Sequence, residues 1–229
     1  MSAIILCYHK VGPQNDEGRR LNVTPRRLES HVGHFKRRGY EFLRAKDFSK
    51  KNWPERAVCF TFDDAYWSTV EFGLTVFDKF CVPATLYAVS SLVGHSSSWD
   101  SSSSRPLADW ESLRGAQQRG HEIGNHTHRH LKLSELDLDS QIREIQWADE
   151  ILRSQGINPS SFCYPYGNFN SQSLEALRIC GYEVGLALKK RVATAQDDRM
   201  ALPRIVVGFS DALPMLLYKI HLRPKLRRG

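Results

Sequence analysis

The chain has no apolar run near the roughly 20 residues needed to cross a bilayer. Its first such run, residues 3–7, is short and has no basic region before it. A secretory leader needs both features, so the sequence predicts a cytoplasmic chain without an encoded export signal. Cysteine is sparse and odd in number: Cys7, Cys59, Cys81, Cys163 and Cys180, with no C-x-x-C pair. This argues against a disulfide framework. Four of the five sit in apolar or strand-like runs, where a free thiol behaves as a small hydrophobe. A P-loop, a G-x-G-x-x-G turn and a G-x-S-x-G elbow are also missing, which removes support for nucleotide-dependent chemistry and serine hydrolysis. Low-complexity sequence is confined to residues 95–104 (HSSSWDSSSS), a flexible loop by composition.

What is present suits one globular domain spanning residues 1–229, with a basic tail from about 222. The 229 residues are 41% hydrophobic and 25% charged, enough for a sizeable core. The net charge is +7, carried largely by Arg19-Arg20, Arg26-Arg27, Lys36-Arg37-Arg38 and the tail at 223–228. Such a balance favours an anionic polymer, lipid headgroups or nucleic acid. No nucleic-acid motif accompanies the charge and the aromatics do not interleave with it, so no nucleic-acid partner is expected. A solvated surface is the default reading, and residues 222–229 are the segment assigned to peripheral contact with an anionic membrane. The sequence carries no reading of oligomeric state.

Short apolar runs at 4–8, 57–62, 84–89, 122–124, 162–164, 183–188 and 205–209 read as strands. Helical spacing fills the intervals. Thr24-Pro25 pairs a capping side chain with proline at the first helical position, and Leu28, Val32 and Phe35 then share one face. Val70, Leu74 and Phe77 make a second stripe. The longest helix is expected over 134–155, with Leu138, Ile142, Ile145 and Leu152 buried and Gly156 ending it. A shorter one follows Asn170-Ser171 and stops near Cys180-Gly181. Strand–helix alternation predicts an α/β fold with parallel strands covered by helices, either a barrel or a doubly wound sheet.

Three segments carry chemistry. The strand at 57–62 runs into Asp63-Asp64, and parallel α/β folds place their sites at the carboxyl ends of strands. The same pair also suits a helix N-cap. Next comes His126-Thr127-His128-Arg129-His130. His126 and His130 are four apart, a spacing that puts both imidazoles on one side if the segment turns helically. The alternative is a surface histidine cluster, with His128 a member of it. Together these segments offer one carboxylate and two imidazoles, a set suited to zinc, iron, cobalt or nickel, and a second aspartate left over as a base. The third segment, Tyr164-Pro165-Tyr166-Gly167, is a sharp turn after a strand. It is either a packed turn or a source of an oxyanion-stabilising N–H.

In this order, TFDD, NHTHRH and YPYG resemble the polysaccharide deacetylase (NodB-homology, carbohydrate esterase) family. The opening ILCYHKV, the stretch from Ala108-Asp109-Trp110 to His121-Glu122-Ile123-Gly124, and ALPRI at 201–205 resemble its exopolysaccharide-deacetylase branch. The resemblance spans about residues 4–209. It implies a distorted (β/α) barrel and hydrolysis of an N-acetyl, less often O-acetyl, group on a saccharide or glycolipid. It further implies Asp64, His126 and His130 as metal ligands, zinc above cobalt, nickel or iron, with Asp63 as general base. Tyr166 would line the acetyl pocket and lend its backbone N–H to the oxyanion.

Two departures stand out. Cys163 occupies the place where the family has an arginine that orients the base, and Arg204 is the candidate replacement. The family's late Leu-x-His motif is absent, so His9 is the candidate general acid, its alternative being a partly buried histidine satisfied by backbone. Trp99 is a candidate sugar-stacking residue or an exposed loop side chain. Rival functions are an amidase or esterase on a non-carbohydrate substrate, and a non-catalytic sugar-binding protein on the same fold.

Overall fold

The computed structural model describes residues 1–19, 21–50, 52–99 and 104–222. The tail beyond Leu222, Arg20, and Asp100 of the serine-rich loop lie outside the described residues.

The chain opens with β1 (Ser2–Tyr8), β2 (Lys10–Val11), α1 (Gln14–Glu17), β3 (Asn22–Val23), α2 (Pro25–Arg37), β4 (Glu41–Phe42) and β5 (Ala57–Phe62). A π-helical turn at Thr69–Gly73 leads into α3 (Leu74–Phe80), followed by β6 (Thr85–Ala88), α4 (Trp110–Gln118), β7 (Glu122–Asn125) and α5 (Leu138–Ser154). The remainder is β8 (Phe162–Cys163), α6 (Ser171–Ile179), β9 (Gly185–Leu188), β10 (Ala193–Thr194), β11 (Leu202–Val206) and α7 (Leu213–Leu217), which continues as a π-helical turn at Tyr218–Leu222.

Seven strands, in the order β1-β11-β9-β8-β7-β6-β5, are joined by parallel pairings, and the β5–β1 pairing closes the ring. This is the distorted (β/α) barrel expected from the resemblance. β4 and β10 add short extensions on β5 and β1. Closure explains why the strands read as unbroken apolar runs, since both faces of each are covered. On β1, Leu6 and Tyr8 share a cluster with Leu28, Val32 and Phe35 of α2. Ile5 belongs instead to a cluster with Cys59, Tyr87, Cys163, Leu186 and Leu202.

Each of the seven expected strands corresponds to one barrel strand. The last is displaced, occupying Leu202–Val206 rather than 205–209. The long helix begins at Leu138 rather than 134, because Asp137 accepts the Ser140 N–H at 2.7 Å and a separate 3-10 turn covers Leu133–Glu135. Its buried stripe holds Ile145 and Leu152, while Leu138 and Ile142 are only partly buried. Thr24 and Asn170 cap α2 and α6 as their sequence positions suggest. Cys7, Cys59 and Cys163 are buried free thiols; Cys81 is exposed and Cys180 half-buried. No helix among the described residues is long and apolar enough to cross a membrane.

Candidate active site

The candidate residues gather at the carboxyl ends of the barrel strands. His9 follows β1, Asp63 and Asp64 follow β5, His126 follows β7, and Tyr166 follows β8, while Arg204 reaches in from β11. The connecting backbone is strained there. Of the eight non-glycine residues with positive φ among the described ones, five are Asp64, Ala65, Thr127, His130 and Tyr166. Each such residue costs on the order of 1–3 kcal/mol, so the surroundings must over-determine these turns. At Gly167 the turn needs glycine itself: φ is +65° and a Cβ would lie 2.7 Å from Leu188.

Asp64 faces two imidazoles, its Oδ1 lying 3.5 Å from His126 Nε2 and 3.2 Å from His130 Nε2. All three residues are buried, and their ligand atoms lie within 4.8 Å of one another. No hydrogen bond reaches Asp64 Oδ1. A buried carboxylate oxygen between two nitrogens and without a donor is the environment a cation would complete. His126 Nδ1 sits 2.7 Å from the Cys163 carbonyl oxygen. A carbonyl can only accept, so Nδ1 carries a proton and Nε2 is the nitrogen that faces Asp64. Burial pushes the Asp64 carboxyl up, but the facing imidazoles more than reverse this and hold it well below the usual range. Burial also holds His130 below its usual value, Asp64 notwithstanding. Metal binding requires an ionised carboxylate and neutral imidazoles, and the shifts of Asp64 and His130 favour that state.

The histidine loop is not helical, contrary to the turn assumed for the i, i+4 spacing. Thr127 at φ 69° and His130 at φ 60° bend it back on itself. The two rings therefore converge through a tight loop, their centroids 5.0 Å apart. His128 points elsewhere, its Nδ1 2.9 Å from Ser90 Oγ and its ring 5.7 Å from that of Trp147.

Asp63 is gripped from the other side. Arg204, fully buried, donates from Nη1 to Oδ1 at 2.6 Å and from Nη2 to Oδ2 at 2.8 Å. Its Nη1 also meets Thr61 Oγ1 at 2.9 Å, and Nη2 lies 2.9 Å from Cys163 Sγ. The Cys7 and Cys163 thiols flank the carboxylate at 3.4 and 3.5 Å. Burial raises the Asp63 pKa, but the Arg204 guanidinium outweighs it and the carboxyl stays below the usual range. His9 joins this side: a ring nitrogen, Cys7 Sγ and an Asp63 oxygen lie within 4.8 Å of one another. Its buried Nδ1 has no hydrogen-bond partner.

Aromatic rings flank the ligands. Trp99 is half-buried, its ring centroid 3.9 Å from that of His130, and Tyr166 approaches the same ring at 4.6 Å. Tyr166 is 51% exposed and therefore available at the mouth.

Sequence reasoning missed the residues that tie the histidine loop to α5. The buried Glu144 carboxylate accepts the Arg129 backbone N–H at 2.9 Å and Arg129 Nε at 2.6 Å, and its carbonyl accepts the His128 N–H at 3.1 Å. Asn125 Oδ1 accepts the Thr127 N–H at 2.8 Å while its Nδ2 donates to the Ile145 carbonyl at 3.0 Å. A signal existed for Glu144, which falls with Gln141, Ala148 and Leu152 on the buried face of α5.

Comparison with known proteins bears on the family and the fold. The family profile described as polysaccharide deacetylase matches residues 50–185. A poly-beta-1,6-N-acetyl-D-glucosamine N-deacetylase of Staphylococcus epidermidis is 25% identical over 242 residues, covering 94% of this chain and 82% of that protein. Among solved structures, the Streptococcus pyogenes deacetylase PplD in complex with acetate superposes with a TM-score of 0.82 at 22% identity, over 96% of this chain and 98% of that one. IcaB from Ammonifex degensii gives 0.80 at 21% identity, over 94% and 95%. At those identities the structures speak for the shared fold.

Proposed function

The chain belongs to the polysaccharide deacetylase family, and from that premise we propose that it is a metal-dependent hydrolase removing N-acetyl groups from a saccharide or glycolipid. The observation that carries this reading is the convergence of Asp64, His126 and His130 beside an ionised Asp63. Those three residues would hold a divalent cation. Zinc is the first choice for two imidazoles and one carboxylate, with cobalt, nickel and iron compatible with the same donors. Such an ion supplies Lewis-acid polarisation of an acyl carbonyl and acidifies a water molecule.

The protein's own groups do the rest. Asp63 receives the water's proton as the oxygen attacks the acetyl carbon. Arg204 keeps that carboxylate ionised and fixes its orientation through two bonds. The Tyr166 backbone N–H stabilises the negative charge developing on the acetyl oxygen, and the Tyr166 ring lines the acetyl pocket. His9 donates a proton to the departing sugar nitrogen, so that acetate and a free amine result. Its position within reach of the Asp63 carboxylate supports this role. Trp99, its ring tilted against that of His130, forms a wall against which a sugar ring can pack.

The test is acetate release from N-acetylglucosamine oligomers and glycolipids by metal-reconstituted protein beside His126→Ala. The relative's action on poly-beta-1,6-N-acetyl-D-glucosamine puts that glycan first in the panel. Release that requires both metal and His126 is the expected result. A protein that binds metal and releases acetate from none of these compounds would sink the carbohydrate reading.

A further inference from the structure

The flank of the barrel carries a second concentration of charge, in the seam between α2 and the terminal helical segment at 213–222. Arg26, Arg27, Ser30 and Leu213 help line one cavity of about 270 Å³. His34, Arg38, Arg56, Leu217 and His221 help line another of about 350 Å³. On α2 the lining positions recur every three or four residues, as do 213, 217 and 221 on the opposing helix. Side chains at that spacing share one face, so both cavities lie along the groove that α2 forms with the 213–222 segment. Among the described residues, no aspartate or glutamate lines either cavity.

Two acids of the neighbouring elements are turned to other cations. Glu29 of α2 pairs with Lys79 at 2.5 Å, and the buried Asp211 pairs with Lys219 at 2.5 Å. His34 lies below its usual pKa through burial and then through Arg38, Arg37 and His221, a surrounding wholly positive in sign. Such an uncompensated row is self-repelling, and an anion relieves it.

A second, apolar feature lies on the outer side of the same helix. Met215, Tyr218 and Leu222 are 44%, 38% and 53% exposed, while Leu216 and Ile220 pack inward. Three of the eight large exposed hydrophobic residues among the described ones thus fall within eight positions. A free polyanion would use the arginines and leave these side chains idle, whereas a bilayer surface uses both. The sequence just beyond Leu222 adds Arg223, Lys225, Arg227 and Arg228.

We propose that the α2–terminal helix face docks the protein on an anionic phospholipid bilayer. The groove arginines meet headgroup phosphates, and Met215, Tyr218 and Leu222 enter the interfacial layer. This inference is independent of the catalytic reading. It also differs from attachment through the basic tail alone, because it assigns binding to residues of α2 and of the helical segment at 213–222.

Co-sedimentation of the full chain with vesicles tests it. The vesicles are equimolar phosphatidylglycerol and phosphatidylcholine, set beside pure phosphatidylcholine at low and high salt. The wild type is expected to bind the anionic vesicles in a salt-sensitive manner. Each basic residue at such a surface accounts for about fivefold in affinity, so Arg38→Glu combined with Arg56→Glu is expected to weaken binding at least about 25-fold. Met215→Ser with Leu222→Ser is expected to weaken binding at both salt concentrations. An unchanged urea midpoint shows that these surface variants still fold. Failure of the wild type to bind overturns the proposal. So does wild-type binding by both double variants alongside loss on neutralising the four basic residues at 223, 225, 227 and 228, because the tail alone would then be the anchor.

Discussion

Replacing Arg204 by methionine removes the guanidinium and keeps an unbranched apolar stem in the barrel interior. Four contacts disappear: two to Asp63 at 2.6 and 2.8 Å, one to Thr61 Oγ1 and one to Cys163 Sγ, both at 2.9 Å. Taking one partner from a buried ion pair typically costs about 3–5 kcal/mol, because a charge is left without compensation. Against a total stability of about 5–15 kcal/mol this is a large fraction. The pH dependence is more diagnostic. In the wild type Asp63 has a folded pKa below its unfolded value of about 3.9. Its contribution is therefore complete above that unfolded value and fades as pH falls through the lower folded one. In Arg204→Met, burial acts with its main opponent gone and lifts the folded pKa above the unfolded one. The sign then inverts: the protonated acid is favoured, and its contribution is lost as pH rises through the raised pKa. Urea unfolding of both proteins between pH 4 and 8 should show a gap that widens with pH. Arg204→Lys keeps a charge without the planar fork and should recover only part of the loss. A deficit under about 1 kcal/mol at pH 7, with the wild-type pH slope intact, would refute the account of Asp63 as a carboxylate held ionised by Arg204.

Asp63→Asn should lower acetate release by about 10²–10⁴ while metal stays bound, since this removes the base and no ligand; activity near the wild type would mean another group takes the proton. Glu144→Ala leaves the Arg129 N–H without its acceptor and frees the loop between the two histidines. A chelator-competition titration should then report metal affinity about 10–100-fold weaker, and an unchanged dissociation constant would remove Glu144 from the positioning of the site. Trp99→Ala is expected to raise KM for oligosaccharides more than it lowers kcat, and equal kinetics would make the tryptophan a cover for His130 only.

Much of this architecture was legible because it depends on short-range pattern. The seven barrel strands announce themselves as apolar runs since each is covered on both faces, and Thr24 and Asn170 each sit where a helix needs an N-cap acceptor. The apolar pattern puts the strand at 202–206 late because Pro203 and Arg204 break the run, although Arg204 is buried through its pairing with Asp63. The stubs β4 and β10 are two residues each and hold position through their neighbours on β5 and β1, a long-range cause with no local pattern. At the site the residue types were readable and the means of convergence was not. His126 and His130 suggested a helix, yet they meet because Thr127 and His130 adopt left-handed backbone angles stabilised by Asn125, Thr127 Oγ1 and Glu144.

The two adjacent aspartates illustrate how one turn can supply two opposite electrostatic environments. Asp63 faces the barrel axis, where Arg204 arrives from a strand 141 residues away and neutralises it. Asp64, one residue on and at φ 69°, is rotated out of that pairing toward two imidazoles and has no donor on Oδ1. A chain continuing in extended conformation would also send successive side chains to opposite faces, but it would carry Asp64 away from the β7 loop. The left-handed step is what lets the second carboxylate stay at the barrel mouth. Arg204 then matters twice: it cancels the charge on Asp63, and in doing so it leaves Asp64 as the uncompensated anion. Cys163 fits the same logic. Its thiol packs against the guanidinium and its carbonyl fixes the His126 tautomer, so one residue of β8 touches both environments. An arginine at position 163 would compete with Arg204 for the same carboxylate, which gives a physical reason for a small uncharged side chain there.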